Sequence, residues 1–164
     1  FWMPQSIKAA GFGYSNTVVG FLVMVPNLVG LAVMIMISRS SDRKLERRWH
    51  TATPAIIGGV GCLSFGASDS FLLSIALLSL LAVGIYGAAG PFWTLPSQFL
   101  SGFSAASGIA VVSLSASLGG FAGPYAVGLI GQRTGGLRGG VILAGLALLM
   151  LASLVLLLPK RPRA

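Results

Sequence analysis

Long apolar stretches, separated by short polar or charged segments, make up almost the whole chain. A helix needs about 20 predominantly apolar residues to cross a bilayer, and backbone groups in lipid must pair within the spanning segment. The pattern therefore predicts an all-α membrane protein with five transmembrane helices. They are predicted at residues 14–37, 51–67, 71–95, 105–130 and 141–158, and residues 1–8 are predicted to end a preceding helix.

The division between the third and fourth spans rests on turn residues rather than on charge. No charged residue occurs from Ser70 to Gln132, a stretch that is too long for one span. Proline, serine and glycine are concentrated at residues 96–104, which is typical of a turn between two helices. We therefore expect two spans here, joined near these residues.

Composition and charge support a membrane protein. Only 9% of the residues are charged and 55% are hydrophobic, whereas a soluble domain carries about 25% charged residues. The net charge is +8, but eight of the eleven basic residues lie either in residues 38–50 or in the tail at residues 160–163. Because no basic face is interleaved with aromatic residues, nucleic-acid binding is not expected.

Residues 38–50, here called the basic segment, predict the orientation of the chain. The segment contains five of the eleven Lys and Arg residues and lies between two apolar stretches. Cytoplasmic loops are enriched in Lys and Arg, so we expect this segment to be a cytoplasmic loop. Four predicted spans separate it from the basic tail, which would then be cytoplasmic too. Lys8, Arg133 and Arg138 would lie on the opposite side.

Polar residues within the spans are unevenly distributed. The first, third and fourth spans carry several, including Asn27, Tyr86 and Ser113, whereas the second and fifth are nearly free of them. A polar group in lipid loses its hydrogen bonds, so such residues usually face a bundle interior or a wet cavity. Spans one, three and four are therefore expected to line a cavity, and spans two and five to face lipid.

Glycine patterns predict close helix packing and one flexible point. Gly119 and Gly123 form a G-x-x-x-G pattern, and small residues recur at Gly58, Cys62 and Gly66. A second group of glycines ends in a proline near the end of the third span, which is typical of a kink or hinge. The hinge candidates are Gly87, Gly90 and Pro91.

Four segments in order resemble the C-terminal half of a major facilitator superfamily transporter, in its anion:cation symporter branch. They are FWMPQSIK (1–8), SDR with ERRWH (41–50), GPFWTLP with FLSG (90–102) and ASGIA with LGGFAGPY (106–125). The resemblance covers nearly the whole chain. It departs from the family at Ser38, where glycine is usual, and at Ser113 and Ser117, where asparagine is frequent.

This resemblance implies that residues 1–164 are one C-terminal transmembrane half-domain of a 12-helix protein, whose N-terminal half is missing here. It implies alternating-access transport of an organic anion, such as a carboxylate or sugar acid, driven by protons across the bacterial inner membrane. The expected partners are the lipid bilayer, the anion, protons and the N-terminal half. No cofactor or metal is expected.

The charges of a transport site are expected in the N-terminal half. The carboxylates Asp42, Glu46 and Asp69 are all predicted in loops, and no Lys or Arg lies mid-span. This half would then supply neutral recognition by polar groups and aromatic edges. The substrate-binding candidates are Gln5, Asn27, Tyr86, Trp93, Ser113 and Ser117. As alternatives, Trp93 belongs to an interfacial aromatic belt, Tyr86 bonds within the bundle, and the serines bond their own backbone.

The basic segment also supplies candidates for a gate. The resemblance implies that an acidic residue at the position of Asp42 caps a helix N-terminus in the opposite half, where a carboxylate is favoured. Arg43, Arg47 and Arg48 would add ion pairs that break during transport. The alternative is that these charges only determine topology.

Two other classes of function remain open at this point. The same fold could carry drugs or sugar phosphates, or the chain could be a small membrane scaffold or pore that transports nothing by itself. Enzyme function is not expected, because the chain contains no phosphate-binding loop, zinc-binding H-E-x-x-H or nucleophile elbow.

Overall fold

The computed structural model describes residues 4, 8, 13, 15–65, 71–136 and 138–159. Its elements are five long helices and one short one, in these described residues. They are α1 (Asn16–Lys44), α2 (Arg48–Leu63), α3 (Phe71–Thr94), α4 (Pro96–Phe99), α5 (Gly102–Thr134) and α6 (Arg138–Leu157). Of the predicted preceding helix, Pro4 and Lys8 are helical, and the other residues of 1–8 lie outside the described ranges.

Four helical segments of the described chain are long and apolar enough to cross a membrane. They are α1, α3 with α4, α5 and α6. Helix α2 has 16 residues, or about 24 Å at 1.5 Å per residue, which is shorter than a bilayer core of about 30 Å. The predicted end of this span, at residue 67, lies outside the described residues. The prediction of an all-α membrane protein is confirmed.

The prediction that the basic segment is a loop is wrong for most of its length. Helix α1 continues to Lys44, and α2 begins at Arg48, so only residues 45–47 are non-helical. Charge favours water over lipid, but Arg and Lys are also good helix formers, so the helix continues beyond the apolar stretch. It ends at Leu45, whose φ of 49° is left-handed, with its N–H directed back at the last turn.

Small residues allow α2 to pack closely between α3 and α6. A Cβ added at Gly58 would lie 2.6 Å from the Gly84 Cα atom, and one at Gly145 would lie 2.6 Å from the Cys62 Cβ atom. This confirms the predicted packing role of Gly58 and Cys62, while Gly66 lies outside the described residues. Eight residues of α2 are buried, and they are Thr51, Ala52, Pro54, Ala55, Gly58, Gly59, Gly61 and Cys62.

The expected division into cavity-lining and lipid-facing spans therefore needs correction for α2. From Pro54 to Leu63 this helix is apolar, yet its small residues pack against α3 and α6 and do not face lipid. Its opposite face does expose Ile56, Ile57, Val60 and Leu63. Sequence polarity alone cannot separate a glycine-rich packed face from a lipid-facing one, since both are apolar.

Helix α5 is packed far less than the others. No described residue of α5 is buried, and no atom lies within 4 Å of a Cβ added at Gly119 or Gly123. The helix contacts α4 and α6. The G-x-x-x-G pattern therefore has no partner helix among the described residues, and its packing role stays a prediction.

The hinge candidates of the third span lie within a continuous helix. Helix α3 is continuous through Gly87, Gly90 and Pro91, and its interruption comes at Leu95, before α4. Added Cβ atoms at Gly87 and Gly90 would meet Pro54 at 2.9 Å and the Ser38 hydroxyl at 2.1 Å. These glycines thus make room for α2 and α1, and a hinge role for them stays a prediction.

Candidate substrate-binding and gating sites

Two substrate-binding candidates, Asn27 of α1 and Tyr86 of α3, meet near the middle of their helices. The Tyr86 hydroxyl donates to the Asn27 Oδ1 atom at 2.9 Å. The Asn27 Nδ2 atom donates to the Val23 carbonyl at 2.8 Å, one turn earlier. Asn27 is half-buried and Tyr86 is 37% exposed. The pair therefore keeps one amide N–H and the Tyr86 oxygen lone pairs available to a ligand.

Gly30 positions this pair, although the sequence did not single it out. A Cβ added there would lie 2.4 Å from the Tyr86 ring and 3.2 Å from the Ala82 Cβ atom. The ring thus lies over Gly30, three residues after Asn27, on the same face of α1. The signal in the sequence was a glycine one helical turn from a polar mid-span residue.

The other substrate-binding candidates are not brought to this pair. Trp93 is 43% exposed and contacts the neighbouring Phe92 ring edge-on, with ring centroids 5.8 Å apart. The Ser117 hydroxyl donates to the Ser113 carbonyl at 3.0 Å, which is the backbone bond given above as the alternative. Both serines lie on α5, which carries no buried residue in the described structure. Gln5 lies outside the described residues.

Asp42 forms an ion pair within the basic segment. Its carboxylate accepts a hydrogen bond from Arg47, whose guanidinium also donates to the Ser41 hydroxyl at 3.0 Å. Ser41 is fully buried and donates to the Glu46 carbonyl at 2.7 Å. The Asp42 side chain is 65% exposed and that of Arg47 only 14%. Arg47 thus connects α1 to α2, while Asp42 keeps an exposed carboxylate edge.

The remaining two gating candidates differ in their surroundings. Arg43 is exposed, with no hydrogen bond or ion pair to the described part of the chain. Arg48 is half-buried, and its guanidinium donates to two backbone carbonyls at the end of α6, those of Val155 and Leu156. Among the four gating candidates, Arg43 alone has no side-chain hydrogen bond or ion pair to the described residues.

Glu46 caps the start of α2. Its carboxylate accepts from the Trp49 N–H at 2.9 Å and the His50 N–H at 3.2 Å, and it contacts the His50 Nδ1 atom at 2.8 Å. Partial burial opposes ionisation, but the hydrogen bonds from Trp49 and His50 outweigh it, so the pKa of Glu46 lies below its usual 4.5. The His50 Nε2 atom lies 3.0 Å from the Ser40 hydroxyl, which links the cap to α1.

The lowered pKa of Glu46 predicts a pH-dependent contribution to stability. A depressed carboxyl pKa stabilises the fold above the unfolded value and loses that effect as pH falls through the folded pKa. Glu46→Gln is expected to cost about 0.5–1 kcal/mol at neutral pH, as for loss of a cap. The measurement is the free energy of unfolding of both proteins at neutral pH and at an acid pH below the lowered pKa of Glu46. A difference that persists unchanged in acid would contradict this prediction.

The described residues contain no group of three or more His, Cys, Asp or Glu that could hold a metal ion.

Comparison with known proteins gives three informative similarities. A protein named as a tartrate transporter from Agrobacterium vitis is 39% identical over 97% of this chain. The quinolone resistance transporter of Acinetobacter baumannii is 35% identical over 94% of the chain. The inner membrane transport protein RhmT of Escherichia coli is 32% identical over 76%.

The chain spans about a third of the length of these relatives, with 35% of the first two and 29% of the third. No family model and no solved structure matches the chain. The relatives are named as transporters and not as enzymes, in agreement with the absence of enzyme motifs. The chain is homologous to bacterial membrane transporters of the major facilitator type, which confirms the resemblance carried by its four sequence segments.

Proposed function

We propose that this chain is the C-terminal half of a proton-coupled transporter that moves an organic anion by alternating access. The observation that carries the proposal is the Asn27–Tyr86 pair. It is a polar and partly exposed contact between two membrane-spanning helices, where polar groups are costly and usually functional. Transporters of this type place their binding sites near the bilayer midplane, at the interface of two structural repeats.

The pair is suited to orient a carboxylate or hydroxyl group without neutralising its charge. The second hydrogen of the Asn27 amide can donate to a carboxylate oxygen, and the Tyr86 oxygen can accept from a hydroxyl group. Substrates with both groups, such as tartrate or a sugar acid, fit this combination. Two relatives of this chain are named as tartrate transporters, which favours the same substrate class.

The anion's counter-charge and the proton carrier are proposed to lie outside this chain. No Asp, Glu, Lys or Arg lies between residues 70 and 132, nor between residues 14 and 38. The relatives are about three times longer than this chain, which leaves room for an N-terminal bundle that supplies these groups. The exposed face of α5, with Gly119 and Gly123, would pack against that bundle.

A drug is the second candidate substrate, because one relative is named as a quinolone resistance transporter. The same fold could carry either candidate substrate, so a binding measurement is needed to distinguish the two. The experiment is a thermal-shift panel on the purified full-length protein with tartrate, other dicarboxylates, sugar acids, aromatic acids and quinolones. A ligand at 100 times its Kd adds about 2.7 kcal/mol of stability. Stabilisation by tartrate, other dicarboxylates or sugar acids supports the proposal. Stabilisation by quinolones alone would contradict it and favour a drug as the substrate.

The orientation proposal places the basic segment and the C-terminal tail in the cytoplasm of a bacterial cell, with the spans in its inner membrane. The enrichment of basic residues at these two places supports it. Cysteine labelling at exposed Leu45 and at Arg133, with a reagent that does not cross the membrane, would assign the two sides.

Asp42 is proposed to close the cytoplasmic side together with Arg43. Arg47 already binds one oxygen of the Asp42 carboxylate, so the exposed edge is what could cap a helix of the N-terminal half. Asp42→Asn in the full-length protein is expected to lower the transport rate about tenfold, which corresponds to 1.4 kcal/mol of lost stabilisation. The readout is uptake at matched surface expression. Unchanged uptake would show that Asp42 has no gating role.

A further inference from the structure

The last turn of α6 lacks a backbone donor, and this loss is visible in the sequence. In an α-helix each carbonyl accepts from the N–H four residues later. For Val155 that residue is Pro159, which has no N–H. The Leu158 N–H donates to the Val155 carbonyl at 3.3 Å, which leaves the second lone pair of this oxygen for another donor. Val155 as a whole is 4% exposed, so water has limited access to its carbonyl.

Arg48 supplies the missing donor from another helix. Its Nε atom donates to the Val155 carbonyl at 3.4 Å, and a second guanidinium nitrogen donates to the Leu156 carbonyl. Arg48 and Val155 are 107 residues apart in sequence. A cation at a helix C-terminus is also favoured by the helix dipole. Arg48 thus satisfies the end of α6 both by hydrogen bonds and by charge.

The neighbouring arginine points to a different helix. Arg47 binds Asp42 and the buried Ser41 at the end of α1, and its own carbonyl accepts from the fully buried Thr51 hydroxyl at 2.8 Å. Two consecutive residues at the start of α2 therefore connect it to α1 and to α6. The ends of three helices are joined at one point.

We propose that Arg48 is a positioning residue that caps α6 in place of the donor missing at Pro159, and is not a gate contact that breaks during transport. With Arg47 it holds the ends of α1, α2 and α6 together as one rigid unit. This assignment differs from the gating role expected for Arg48 from sequence. It does not depend on which substrate the protein carries.

A second-site rescue tests this proposal in the full-length protein. Arg48→Gln should raise hydrogen exchange at the last turn of α6 about tenfold, because the charge-assisted hydrogen bonds that hold this end of the helix are lost. Pro159→Ala restores a backbone N–H four residues after Val155. The double variant should therefore return to within about threefold of the wild-type exchange rate, and its unfolding temperature should recover.

Two further variants keep the test decisive. Arg39→Gln removes an exposed arginine of the same basic segment and should leave exchange in α6 unchanged. Arg48→Lys keeps the charge with fewer donors, so its exchange rate in α6 should lie above that of the wild type. It takes the place of Arg48→Gln in the test if that variant does not fold. Exchange in α6 that does not change in Arg48→Gln, or a double variant without rescue, would overturn the proposal.

Discussion

Gly58→Ala is expected to cause the largest loss of stability of any glycine-to-alanine change in the described helices. The added Cβ would lie 2.6 Å from the Gly84 Cα atom and 3.0 Å from both the Gly84 nitrogen and the Leu80 carbonyl oxygen. These are backbone atoms that no side-chain rotation can move away. Overpacking of this kind costs about 1–3 kcal/mol. The check is the free energy of unfolding of the full-length protein in detergent.

Gly20→Ala is the matched control for this substitution. Gly20 also lies within a helix, but no atom lies within 4 Å of its added Cβ. Alanine should therefore stabilise this helix by up to about 1 kcal/mol through its higher helix propensity. Equal effects of the two substitutions would show that α2 and α3 are not in backbone contact.

Asn27→Leu is expected to have the largest effect on transport. It removes the proposed ligand-facing amide and leaves the Tyr86 hydroxyl without its acceptor. We expect the transport kcat/KM to fall about 10- to 100-fold, since the substrate loses a hydrogen bond from the Asn27 amide to its charged group, and such bonds contribute about 1.5–3 kcal/mol. The measurement is initial uptake by the reconstituted full-length protein over a range of substrate concentrations.

The double variant Asn27→Leu with Tyr86→Phe separates recognition from stability. Removing both partners of a hydrogen bond can be nearly neutral for stability, whereas removing one is not. The double variant should therefore regain much of the unfolding free energy that Asn27→Leu loses, while its transport stays low. Transport that recovers together with stability would show that the pair is only structural.

The polar mid-span residues were predicted from sequence, but their pairing was not. Asn27 and Tyr86 are 59 residues apart, and their contact depends on the register between α1 and α3. That register follows from Gly30, whose missing side chain admits the Tyr86 ring. A single sequence shows that polar groups are present in a span, but not which face meets which helix.

For the basic segment, the sequence predicted the surroundings but not the backbone conformation. Its charge predicted contact with water, yet charge does not determine backbone conformation, and α1 continues as a helix to Lys44. The partners of Arg48 are backbone carbonyls 107 and 108 residues away, which no side-chain pattern near Arg48 indicates. The only sequence signal was Pro159, which marks the carbonyl that needs a donor from elsewhere.

Uptake of labelled tartrate into proteoliposomes that contain the full-length protein tests the proposed function most directly. An inward proton gradient should drive accumulation, a protonophore should abolish it, and unlabelled dicarboxylates or sugar acids should compete. Asn27→Leu should lower the initial rate at least tenfold at the same protein content. Absence of gradient-driven uptake for tartrate and for the competing acids, in protein that remains folded, would contradict the assignment as a proton-coupled organic anion transporter.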